Sequence, residues 1–107
     1  MSIPKIIKLS GVSFYQDTIK KLNKNDILDL ILEPDNKYDK NAIKVVNKDN
    51  ELCGYIPKKY QINDTEIILN VLIQKKFDKL VTKYKIQVKE IYKWDGPTGV
   101  EIEFIKL

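Results

Sequence analysis

The stretch Glu33-Pro34-Asp35-Asn36-Lys37-Tyr38-Asp39-Lys40-Asn41-Ala42-Ile43-Lys44-Val45 joins two β-strand patterns through a loop dense in charge. Pro34-Asp35-Asn36 breaks any regular element, because Pro fixes φ and lacks a donor while Asp and Asn bond their own backbone. Asn41 to Val46 then reads as a strand with Ile43 and Val45 on one face, and Ala42, Ile43 and Val45 are expected in the core. Asn36 and Asn41 are expected to fix the loop through side-chain to backbone hydrogen bonds. Tyr38 lies between Lys37 and Asp39. A tyrosine there is either an anchor packed on its own turn or a stacking platform of the kind single-strand binders use. Asp35, Asn36 and Asp39 are oxygen ligands, but an EF-hand fails: Lys37 holds the third position and Lys40 the sixth, where glycine is required.

Working outward, Ile27 to Glu33 alternates, with Leu28, Leu30 and Leu32 on one face of a half-buried strand. A first strand is expected from Lys5 to Tyr15, interrupted at Ser10-Gly11, and Gln16 to Asn25 reads as a polar loop. Phe14 and Tyr15, adjacent on a strand, point to opposite faces. One is expected in the core, and the other is left free to stack. Lys48-Asp49-Asn50 is a hairpin turn leading into Glu51 to Ile56, which Pro57 ends. Asn63 and Glu66 resemble a capping box opening a helix to about Phe77, with Ile67, Ile68, Val71 and Leu72 as its apolar face. Leu80 to Tyr92 alternates as a long strand with a bulge near Glu90-Ile91. Asp95 to Gly99 is a turn, and Val100 to Leu107 closes the chain.

The expected fold is mainly β (α+β): six short antiparallel strands curled into a small barrel, with one or two helices before the last two strands. The 107 residues fit one domain, 1–107. No apolar run is long enough to cross a bilayer and no signal-peptide pattern is seen, so an intracellular, non-secreted protein is expected, in the cytoplasm or in the nucleoid or nucleus.

Composition excludes much chemistry. There is no histidine and one cysteine, so Ser-His-Asp and Cys-His designs, His-ligated metals and cysteine-rich zinc sites are unavailable. Cys53, between Leu52 and Gly54, reads as a small hydrophobe rather than a nucleophile. No cofactor and no metal are expected. The net charge is +4 and all 19 basic residues are lysine. Arginine makes the commonest base-edge contact to guanine, so any nucleic-acid binding is expected to be general rather than sequence-specific. Lys58 and Lys59 are either a solvated pair or phosphate contacts.

The stretch 33–45 resembles the core signature of the HIRAN domain. Gly11-Val12-Ser13-Phe14-Tyr15 resembles the family's first strand, and Gly54-Tyr55-Ile56-Pro57-Lys58 its later Gly-aromatic-apolar-Pro segment. The resemblance implies a small OB-like barrel that captures a single-stranded DNA 3′ end. Aromatic side chains would stack on the last bases, and an acidic residue would accept a hydrogen bond from the terminal 3′-hydroxyl. It places Phe14, Tyr15, Tyr38, Asp39, Lys40, Asn41, Tyr55, Lys58 and Lys59 in the nucleic-acid site. Asp39 would be the hydroxyl reader, unless it only caps the turn before Asn41. Ser13 stands where helicase-linked relatives carry a basic residue. Family members occur fused to helicase-like ATPases, so a helicase or repair protein is a further implied partner; this chain carries no ATPase motif. The residues leave a second class open, a protein-interaction or inhibitor domain whose barrel groove takes a peptide or host factor. A nuclease would have only carboxylates and lysines to work with.

Overall fold

The computed structural model describes residues 3–107. The expected six strands are present and form one antiparallel sheet. They are β1 (Ile6–Lys8), β2 (Ile27–Leu32), β3 (Ile43–Val46), β4 (Leu52–Tyr55), β7 (Tyr84–Tyr92) and β8 (Gly99–Lys106), in the order β1-β8-β7-β2-β3-β4. Alternation drives each strand. In β8, Val100, Ile102 and Phe104 face inward while Glu101, Glu103 and Ile105 stay part-exposed. Leu28 and Leu30 of β2 and Ile43 and Val45 of β3 complete the middle of the core. Each such side chain contributes about 1.5–3 kcal/mol on full burial.

The continuous ladder stops at β1 and β4. A single bridge, Ser10 to Tyr55, links β4 back to the segment just after β1, with N–H to O distances of 2.9 and 3.0 Å. Gly54 makes that approach possible: a Cβ there would stand 2.8 Å from the Ser10 carbonyl oxygen.

Several expectations are corrected. The first strand ends at Lys8, and Val12–Phe14 is a 3-10 turn whose entry, Gly11, has φ 71°. Gln16–Asn25 is not all loop: Gln16–Ile19 is a short helix, α1, anchored by buried Ile19. Asn63 does not cap a helix. Its φ of 56° is left-handed, whereas an N-cap is extended. It turns a hairpin between β5 (Lys59–Ile62) and β6 (Thr65–Ile68), a separate two-stranded sheet. The helix α2 follows at Leu69–Lys75 and buries Leu69, Asn70 and Ile73, not the face expected; Ile68 is exposed. Lastly, Leu80 to Lys83 belong to a helix, α3 (Phe77–Lys83), and β7 begins at Tyr84. Phe77 and Leu80, three residues apart, pack on the core at helical spacing. The bulge lies one residue before the expected place, at Lys89, because Val88 pairs with Ile102 and Glu90 with Glu101. Among the described residues no helix is long and apolar enough to cross a membrane.

Candidate nucleic-acid interface

The loop between β2 and β3 is built by its own polar side chains. The Glu33 N–H donates to the Ala42 carbonyl at 3.0 Å and closes its base. Asn36 Oδ1 accepts from the backbone N–H of both Tyr38 and Asp39, each at 2.9 Å. Asn36 Nδ2 donates to Glu33 Oε1 at 2.5 Å. These bonds spend the backbone donors around residue 38 inside the loop, and the Tyr38 side chain is turned outward, 88% exposed. The Lys37 ammonium stands over its ring, 5.6 Å from the centroid. Tyr38 is therefore not packed on its own turn.

Asp39 is tied at both oxygens. Oδ1 accepts from the Asn41 N–H at 2.9 Å, and Oδ2 accepts from Asn70 Nδ2 at 2.8 Å. The turn-capping role is thus real, and the carboxylate is still half-exposed. An ionised carboxylate offers about four lone-pair sites, so two bonds leave it able to accept more. At Asn41 it is the backbone N–H, not the carboxamide, that makes the loop bond. Lys40 is exposed.

The aromatic residues at 14, 15 and 55 join this loop through Glu33. The Tyr55 hydroxyl donates to Glu33 Oε1 at 2.9 Å. The Tyr15 ring stands 6.4 Å from the Tyr55 ring, and the Phe14 ring 6.3 Å from Tyr15, edge-on. The strand argument for Phe14 and Tyr15 is corrected here. On a 3-10 turn they are not on opposite faces, and neither is a core residue. Phe14 is 81% exposed and Tyr15 half-buried. The Glu33 carboxyl is held below its ordinary value, first by the Asn36 hydrogen bond, then by Tyr55 and the Lys44 charge. Burial and the same carboxylate push the Tyr55 hydroxyl up to about 12.

Lys58 and Lys59 are exposed at the start of the β5–β6 hairpin. Lys59 faces Glu66 at 4.0 Å, a surface pair. The Lys58 carbonyl accepts from the Leu69 N–H at 2.8 Å, beside Asn70, which places Lys58 on the Asp39 side of the molecule. Three residues outside the expected set shape the site. Glu33 and Asn70 hold the loop from below. Gln16 ties the Phe14 turn to the β7–β8 turn, donating to the Thr98 carbonyl at 3.1 Å and accepting from its N–H at 2.9 Å. That turn carries Trp94, 68% exposed, its Nε1–H bonded to the Pro97 carbonyl. The sequence signal for Asn70 was a polar residue inside a run of apolar ones. Among the described residues no group of three or more Cys, Asp or Glu stands together as a metal site.

Comparison with known proteins agrees with this architecture. No curated protein matches the chain. The crystal structure of the HIRAN domain of human HLTF aligns with a TM-score of 0.64 and 23% identity, over 92% of this chain and 72% of that one. The likeness is one of fold. The family model for the HIRAN domain matches residues 6–91, which spans the loop, the aromatic turn and the whole of β4. The chain therefore belongs to the HIRAN domain family, a family of DNA-binding modules.

Proposed function

We propose that this domain captures single-stranded DNA at a free 3′ end. The observation that carries the reading is the pairing of an outward Tyr38 with a half-exposed, doubly anchored Asp39 on one rigid loop. Tyr38 and Phe14 are the stacking surfaces; stacking on an aromatic is worth about 1–3 kcal/mol per base. Tyr15 stands beside Phe14, and Tyr55 beside Tyr15. Asp39 reads the end. A carboxylate beside a phosphodiester chain repels it, so it belongs where the chain stops and a hydroxyl donor takes the place of the next phosphate. Such a bond is worth about 1.5–3 kcal/mol. Lys40, Lys58 and Lys59 supply phosphate contacts, and Asn41 helps hold the carboxylate. We read the sheet, with its Ser10–Tyr55 bridge, as an OB-like barrel, and the domain as a recognition part serving a helicase or repair protein.

The test is a titration of the protein and of Asp39→Asn with matched oligonucleotides ending in 3′-hydroxyl or 3′-phosphate. The parent is expected to prefer the hydroxyl by roughly 10-fold or more, and the variant to lose that preference. Equal binding of both oligonucleotides by the parent overturns end capture.

A further inference from the structure

A basic groove leads away from the loop. Its first part, about 540 Å³, is lined by Leu32, the last residue of β2, together with Lys75, Lys76, Asp78 and Lys79. The second part, about 470 Å³, shares Lys76 and Lys79 and adds Lys5 and Lys106 over a floor that includes Leu80 and Phe104. The two hollows are neighbours, with Lys76 and Lys79 on the wall of both. Five lysines line them against one carboxylate, Asp78. All five are exposed, and Lys5 also meets Glu103 at 3.6 Å. The groove begins where the loop begins, since Glu33 follows Leu32. Asn70, at the start of α2, holds the Asp39 carboxylate, and Lys75 stands roughly 7.5 Å farther along the same helix and about 140° round it, on the exposed side.

We propose that this groove carries the phosphodiester backbone of the strand whose end the loop holds. The proposal rests on the end-capture reading above and extends it from the terminus to the upstream strand. A row of like charges on one side of a shallow channel suits a ligand whose own charges repeat. Lysine acts as a point charge with no demand on geometry, which fits a backbone contact that must tolerate any sequence. Each contact adds roughly 0.7 to the salt slope for single strands.

The experiment uses 5′-labelled single strands of ~4 and ~16 nucleotides with free 3′-hydroxyls, spanning the usual range of site sizes. The parent is expected to bind the longer one about 10-fold more tightly, with a slope steeper by roughly 1.4–2.1 for two or three added contacts. In Lys75→Gln/Lys79→Gln that gain should vanish while affinity for the short strand holds. Lys5→Gln/Lys106→Gln should remove part of it independently. A parent with no gain from length, or a pair of variants that keep all of it, overturns the proposal. If, in addition, a polyglutamate peptide binds the parent but not the variants, the groove belongs to an acidic protein instead. A length gain that survives when 3′-phosphate binds as well as 3′-hydroxyl sinks end capture and leaves the groove standing.

Discussion

Asn70 Nδ2 donates to Asp39 Oδ2 at 2.8 Å, joining residues 31 positions apart in the chain. Asn70 is 2% exposed, and its Oδ1 is buried without a partner. An unpaired buried oxygen costs on the order of 1–3 kcal/mol, so the amide is held there for what its nitrogen does. Replacing it by a carboxylate tests this. Asn70→Asp sets two carboxylates against each other in a poorly solvated place and is expected to destabilise by about 3 kcal/mol or more. Adding Asp39→Asn restores a donor opposite an acceptor and should recover most of the loss. Urea denaturation of the two single variants and the double variant measures the coupling.

Tyr38→Ala and Phe14→Ala are both expected to weaken single-strand binding by roughly 5- to 150-fold, the value of one lost stack. Neither should move the melting temperature by more than a degree or two, because both rings are exposed. Fluorescence anisotropy alongside thermal melts reads both quantities. A variant that melts with the parent yet binds equally well removes that ring from the site.

The pH dependence of the loop follows from Glu33. Its folded value is depressed below 4.5, chiefly by the Asn36 hydrogen bond. A depressed acid contributes stability that is present above the unfolded value and is lost as pH falls through the folded one. Thermal melts of the parent and Glu33→Gln should therefore differ most above about pH 4.5 and converge as the pH drops below it. A gap that stays constant down to acid pH shows that the charge of Glu33 does not matter.

Cys53 is fully buried, and burial pushes its thiol up to about 11. Alkylation at pH ~8 should be slow in the native protein and rapid in denaturant, since only the thiolate reacts. Mass spectrometry after timed quenching distinguishes the two. Prompt native labelling means that the core around β4 opens far more readily than its packing implies.

Much of this architecture was legible. Alternation in Leu28-Leu30-Leu32 and in Ile43-Val45, with the break at Pro34 between them and the turn at Asn50 after them, was enough to set the central strands. The misreadings have local causes. Leu80 and Thr82 continue the alternating pattern of β7 backwards into α3, so a period of two hides the helical pair Phe77 and Leu80. Asn63 is as good at a left-handed turn as at a helix cap, and only its dihedral tells which. The loop signature singled out Tyr38 and Asp39 as candidates, but could not reveal Asn70, because nothing in sequence links a buried helix amide to a carboxylate in another element. Phe14 was singled out for stacking by its likeness to the family's aromatic, while the strand argument that placed one of Phe14 and Tyr15 in the core does not hold; the 3-10 turn after Gly11 is what exposes Phe14.

The Ser10–Tyr55 bridge has a kinetic side. Every other join in the main sheet is a ladder of at least two residue pairs, whereas this seam rests on one pair, with two backbone hydrogen bonds and a longer one from the Ser10 hydroxyl to the Tyr55 carbonyl at 3.3 Å. Cooperative units open first where the fewest bonds must break together. Amide protons of Ser10 and Tyr55 should thus exchange well before those of Val45 or Val88. Each opening parts the strand that carries Tyr55 from the turn that carries Phe14 and Tyr15. A ligand laid across both sides would act as a stitch, and its residence time would follow the breathing of the seam.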